Sequence, residues 1–146
     1  MNAADLVKAL DLSPHPEGGW YRETWRAHAD SGQRAAASAV LYLIEPGQRS
    51  HWNRVDADEV WVWHGGDAVD VGIAASDTAP VRTVRLGGRV LEGEQPQAII
   101  PAGEWQSAEP VAGGTSRYSL ISCIVAPAFE FDGFELAKPG WAPGQG

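Results

Sequence analysis

Cysteine is nearly missing from this chain: Cys123 is the only one, so no internal disulfide can form. It sits in the apolar run Leu120 to Val125, where an inert buried thiol is expected rather than a nucleophile. Basic residues are also scarce. Eleven Lys and Arg face 19 Asp and Glu, a formal charge of −8 that would repel a phosphate backbone, so nucleic acid is not expected as a partner. Long hydrophobic runs are lacking too, and no basic amphipathic stretch suits an anionic membrane. The first residues have neither a charged start nor an apolar stretch of the kind that directs export. A cytoplasmic setting is the expectation.

Turn-forming residues and tryptophan are abundant. Seventeen Gly and ten Pro are spread along 146 residues, which implies many short elements separated by turns in one domain, residues 1–146. Seven Trp is high for this length and points to a deep pocket or an apolar interface. A single helix is expected near the start. Asn2 caps it, Leu6, Val7 and Leu10 share its face, and Pro14 and Pro16 end it, so residues 1–18 form a helix and a turn. Beyond Gly19 the pattern is strands and turns. The strands are Trp20 to Arg26, Ala39 to Ile44, Glu59 to His64, Val69 to Ile73, Val81 to Leu86, Ala98 to Ile100, Tyr118 to Val125 and a further one over Ala128 to Phe134. The Gly/Pro-rich segment 139–146 reads as a loose tail. Eight to ten short strands make a sandwich or barrel.

One constellation carries more than secondary structure. Gly47, Asn53, Val55, Glu59 and Gly66 have the spacing of the first cupin motif, in which positions 53 and 55 are usually His. Pro101-Ala102-Gly103-Glu104-Trp105-Gln106 has the spacing of the second, with Gln106 where a third His usually stands. Residues 53 and 55 alternate onto one strand face, and turns bring Glu59 and position 106 toward them. Leu12 to Thr24, Asp58 to His64 and Val125 to Phe131 complete a resemblance to a small cupin family of unassigned function marked by Pro14-His15-Pro16-Glu17-Gly18-Gly19. The resemblance spans nearly the whole chain. It implies an all-β, RmlC-like jelly-roll (cupin) β-barrel with one short N-terminal helix, a pocket in the barrel and a homodimer. It supplies no reaction.

The chain departs from its relatives at the ligand positions, since Asn53 replaces the His usual there. Asn53, Glu59 and Gln106 then offer one carboxylate and two amides, so no metal and no other cofactor is expected. If a metal bound at all, His51, Glu59 and Gln106 would be its ligands. His51 lies two residues before Asn53 and faces the same side on a regular strand.

Glu59 and His51 are therefore the acid/base candidates; their bland readings are a surface Glu and a solvent-exposed strand-end His. A buried carboxylate needs a partner, and burial would raise its pKa toward the range useful for proton transfer. Tyr21, Glu23, Asn53, Trp61, Trp63 and Gln106 are the ligand-binding candidates. Trp61 and Trp63 share the face of Glu59 and are either a ligand wall or core packing. Gly19 to Glu23 is similar to the substrate-contacting strand of sugar-nucleotide 3,5-epimerases, which pair a His base with a Tyr acid; the plain reading is a polar edge strand. His15, His28 and His64 read as structural or exposed.

Three functions stay open. One is a small-molecule-binding cupin acting as a metal-independent isomerase or epimerase on a sugar-like or polar carbonyl substrate. The second is a non-catalytic ligand-binding or sensing module. The third is a weak metal-dependent cupin enzyme.

Overall fold

The protein is described here by a computed structural model covering residues 1–144. The helix α1 runs over Ala3–Ala9, and the Asn2 side chain accepts the Asp5 N–H as its cap. Its apolar residues Leu6, Val7 and Leu10 pack with Leu12 and Leu43 against the back of a sheet. No helix among the described residues is long and apolar enough to cross a membrane.

Among the described residues eleven strands follow: β1 (Ser13–Pro14), β2 (Trp20–Arg26), β3 (Ser38–Ile44), β4 (Ser50–Val55), β5 (Asp58–Gly66), β6 (Val69–Ala74), β7 (Arg82–Leu86), β8 (Gln97–Ile100), β9 (Trp105–Pro110), β10 (Ser119–Ala126) and β11 (Phe134–Leu136). They form two antiparallel sheets, one ordered β1-β2-β3-β10-β5-β8 and the other β11-β4-β9-β6-β7. This is the jelly-roll architecture expected from the sequence, with strands close in sequence distributed between two layers.

Alternation along the strands decides where the interior is solid and where it is hollow. On β3 the inward residues Ser38, Val40 and Tyr42 line a cavity, and Ile44 belongs to the packed core. On β10 the series is Val125 and Cys123, then Ile121; on β5 it is Glu59 and Trp61, then Trp63. These residues are cross-strand partners: β10 and β5 change from wall to core at the same level, at Ile121 and Trp63, whereas on β3 Tyr42, the partner of Ile121, still lines the cavity and the change comes at Ile44. Ile44, Val69, Val71, Leu86 and Ile121 close that end of the interior.

Three local expectations change. The strand expected over Ala128 to Phe134 is instead a loop with a helical turn at Phe131–Gly133, and pairing begins only at Phe134. Strand β4 carries a bulge: Ser50 faces Ala108 and Asn53 faces Gln106, three steps on one strand against two on the other. The tail is also held. The Gly144 N–H donates to the Asp77 carbonyl at 2.7 Å, and the Trp141 ring lies 4.5 Å from that of Trp105. The last two residues of the expected tail, Gln145 and Gly146, lie outside the described residues.

Candidate functional site

The hollow end of the jelly roll encloses a cavity of about 460 Å³. Its depth holds polar side chains from four segments, and its mouth carries aromatic residues and a small ion-pair network.

Glu17 sits in the turn that joins β1 to β2. Gly18 makes that turn possible: its φ is +111°, and a Cβ there would meet the Arg49 carbonyl oxygen at 2.1 Å. The Gly18 carbonyl accepts the Tyr42 hydroxyl, and the Glu17 carbonyl accepts the His51 N–H at 3.2 Å. The turn is thus tied to both sheets, with the Glu17 carboxyl turned inward. Ser50 Oγ donates to Glu17 Oε1 at 2.8 Å. Burial pushes the Glu17 carboxyl up to about 8, opposed by the Ser50 hydrogen bond and reinforced by the nearby Glu59.

Glu59 enters from β5 and is 7% exposed. Gln106 Nε2 donates to its Oε1 at 3.0 Å, while Gln106 Oε1 accepts the Trp61 indole N–H at 2.9 Å. An indole can only donate, so Trp61 fixes which end of the Gln106 amide faces the carboxyl. Burial raises the Glu59 carboxyl above its ordinary value, opposed chiefly by the hydrogen bond from the Gln106 amide. Burial and the two carboxyls push the Cys123 thiol well up, so it is an uncharged wall residue, as its sequence context implied. Burial raises the Tyr42 phenol in the same way.

At the mouth, Arg26 forms a two-pronged pair with Glu23, both bonds 2.9 Å, and donates to the Phe129 carbonyl at 2.8 Å. The Phe129 ring lies edge-on to Phe131 at 5.0 Å and to Phe134 at 5.6 Å.

Of the residues singled out from sequence, Tyr21, Glu23, Asn53, Glu59, Trp61 and Gln106 line this one cavity. His51 does not. The bulge between Ser50 and Asn53 breaks the alternation that would have put it beside Asn53, and its Nε2–H instead donates to the Lys138 carbonyl at 2.9 Å. Trp63 is also outside the cavity; it faces the interior one level further down, in the packed end against Gly88.

Sequence reasoning passed over His15, Glu17 and Tyr42, all of which line the cavity. The first two sit in the Pro14-to-Gly19 signature, and a Glu beside two glycines was the available signal for a residue carried by a tight turn.

The donor set does not suit an imidazole-bound metal. Asn53 turns its Nδ2 to the His51 carbonyl at 2.7 Å and to Ser50 Oγ at 3.3 Å. Gln106 has already committed both ends of its amide, Val55 has no donor atom, and His51 points elsewhere. Among the described residues no three His, Cys, Asp or Glu side chains converge as a metal site. Glu59 alone among the four motif positions keeps a carboxylate oxygen to offer.

The cupin-superfamily family DUF985 matches residues 4–137. A hypothetical protein from Leishmania major is 34% identical, with a TM-score of 0.85 over 94% of this chain and 88% of that one. A Shewanella oneidensis protein is 35% identical, with a TM-score of 0.86 over 94% of this chain and 85% of that one. Oxalate decarboxylase from Bacillus subtilis, in its structure at pH 4.6, shares the fold at 15% identity and a TM-score of 0.61, over 87% of this chain and 30% of that one. No curated protein matches the chain.

Proposed function

This chain belongs to the DUF985 family of the cupin superfamily, and from that premise we propose that its cavity binds a small sugar-like or polar carbonyl molecule and moves a proton on it, as a metal-independent isomerase or epimerase. The observation that carries this reading is the pair of buried carboxyl groups, Glu17 and Glu59, on one cavity. Neither is bridged to a Lys or Arg among the described residues. A carboxyl raised toward neutrality accepts and returns protons efficiently near neutral pH. Each has one oxygen held by a donor, Ser50 or Gln106, which leaves its Oε2 for the ligand.

The chemistry balances without a further reagent. Glu59, whose ionised form is favoured by the Gln106 amide, removes the proton from a carbon next to the carbonyl. The C–H electron pair forms the new C=C bond, and the carbonyl pair moves to oxygen, which takes a proton from Glu17. When protonated Glu59 returns its proton to the former carbonyl carbon of a hydroxy-carbonyl compound, the Glu17 carboxylate takes the proton of the neighbouring hydroxyl, the C=C pair forms the new C–H bond and the isomer results. When the enol turns over in the cavity before Glu59 returns the proton to the same carbon, Glu17 takes back the enol proton and the epimer results. The apolar wall of Val40, Val55, Val125 and Phe134 keeps competing water from the intermediate. Incubation with aldoses, ketoses and 2-hydroxy ketones, followed by proton NMR, tests the reading. Conversion by the native chain that disappears in Glu17→Gln and Glu59→Gln supports it; saturable binding without conversion points to the non-catalytic module.

The fixed Glu59–Gln106–Trp61 chain favours that second reading to the extent that a rigid, fully hydrogen-bonded wall also serves simple binding. A homodimer belongs to the proposal as well. The outer face of the six-stranded sheet carries a cross-strand apolar row, Trp25-Ala39-Ile124-Val60-Ile99, whose Trp25 and Ile99 are 53% and 52% exposed. A second copy of this face would cover it.

A further inference from the structure

His15 is held unlike the other three histidines. It lines the cavity beside Glu17, and the Glu17 backbone N–H donates to its Nδ1 at 3.0 Å. A backbone N–H can only donate, so Nδ1 must be the unprotonated nitrogen and the ring proton must sit on Nε2. The ring is wedged edge-on to Tyr21, with centroids 4.5 Å apart, and lies 5.6 Å from Tyr42. Neither ring contact is a hydrogen bond of Nε2. That atom takes part in no hydrogen bond among the described residues, and it is not among the buried polar atoms sealed from solvent.

We propose that His15 is a further catalytic residue, a neutral imidazole whose Nε2–H donates to the carbonyl oxygen of the bound ligand while the Glu17 amide fixes its tautomer. This rests on the reading that the cavity takes a carbonyl compound. The division of labour follows from one turn. The Pro14-to-Gly19 segment delivers both the carboxylic acid of Glu17 and, two residues earlier, a donor that stays in place throughout. A neutral N–H polarises a carbonyl without transferring its own proton, so it supports the negative charge that develops on oxygen when the neighbouring C–H bond breaks. Burial independently pulls the imidazole down from its ordinary 6.5 to about 4, so the ring stays uncharged at neutral pH. The groups facing it are the two Tyr rings and the Glu17 carboxyl, whose nearer oxygen lies 3.9 Å from Nδ1.

The test uses the full-length chain labelled with nitrogen-15 and the probe N,N-dimethylacetamide, a carbonyl acceptor with no donor of its own. Long-range proton–nitrogen NMR of the native protein near neutral pH is expected to show His15 with an unprotonated Nδ1 and a protonated Nε2. Adding the probe is expected to shift the Nε2 and Nε2–H signals saturably. His15→Phe, which keeps a ring between the two Tyr, should weaken probe binding about fivefold, the effect of one lost hydrogen bond. His15→Gln, which restores an N–H donor, should recover part of that loss. An Nδ1–H tautomer, an imidazolium, a spectrum indifferent to the probe, or unchanged binding in His15→Phe would each overturn the proposal. The tautomer and the probe shift are read on the native protein, so a poorly folded variant does not decide the matter. A His15 signal that responds to the probe in a protein that converts no carbonyl compound would sink the isomerase reading, and the catalytic role with it, and leave Nε2–H only as a donor to a bound carbonyl.

Discussion

Ser50 Oγ donates to Glu17 Oε1 across 2.8 Å, joining the first strand of the second sheet to the turn that carries one of the cavity's two raised carboxyls. Ser50 is fully buried, and it also receives the Asn53 amide at 3.3 Å. The hydroxyl therefore has one direction in which to donate, and that direction favours the ionised form of Glu17. Ser50→Ala should raise the Glu17 pKa above its value of about 8. It should also cost about 1 kcal/mol of stability, the net worth of a buried hydrogen bond. Carbon-13 NMR titration of the Glu17 carboxyl checks the first effect and chemical denaturation the second; a pKa that falls would contradict the assignment.

Stability should depend on pH in two windows. The Glu17 pKa is raised from 4.5 to about 8, so between these values the folded chain binds more protons than the unfolded one and stability falls as pH rises. The His15 pKa is lowered from 6.5 to about 4, so between these values the unfolded chain binds more protons and stability rises with pH. The two oppose each other at mildly acidic pH. From about 6.5 to about 8 only the Glu17 slope of this pair remains, and the melting temperature should decline. Calorimetry across that interval should show a decline in the native chain and a clearly flatter profile in Glu17→Gln.

Gln106→Leu should be among the more damaging single changes in the cavity. It strands the Trp61 indole N–H and removes the amide donor from Glu59, leaving two buried polar groups without partners. The expected cost is about 2 to 6 kcal/mol, at about 1–3 kcal/mol for each stranded group. Trp61→Phe removes only the indole donor and frees the amide to turn, so it should cost less and should raise the Glu59 pKa. Denaturation midpoints in urea order the two variants; the reverse order would argue against the Trp61-to-Gln106-to-Glu59 chain.

Light scattering at micromolar concentration should report a dimer. Ile124→Glu, in the middle of the exposed apolar row, should yield a monomer with its melting behaviour otherwise preserved. A native chain that is already monomeric would remove the homodimer from the proposal.

Much of the architecture was legible because period-two alternation is a local signal. The strands from Trp20, Ala39, Glu59, Val69 and Tyr118 appear within a residue or two of their expected bounds, and motif spacing brought Asn53, Glu59 and Gln106 to one cavity. What escaped depends on partners far along the chain. The bulge that turns His51 away exists only in the pairing of β4 with β9. Segment 139–144 is held because Trp141 finds Trp105 and Gly144 finds Asp77, contacts that local composition does not encode. His15 and Glu17 read as ordinary turn residues until the glycine-shaped turn placed them on the cavity wall. Of the seven Trp, Trp52, Trp61 and Trp105 are buried and only Trp25 lies mostly in solvent, and of these four Trp61 lines the cavity and Trp25 belongs to the exposed apolar row.

The most direct test of proton transfer between Glu17, Glu59 and a bound carbonyl compound is solvent exchange. The protein is incubated in heavy water with small aldoses, ketoses and 2-hydroxy ketones, and deuterium arriving at the carbon next to the carbonyl is followed by NMR. Incorporation into at least one compound is expected, stereospecific at that carbon, with its loss in both Glu17→Gln and Glu59→Gln while the fold is retained. Incorporation that persists in both variants, or a compound that binds saturably in the cavity and never exchanges its hydrogen, would contradict that transfer.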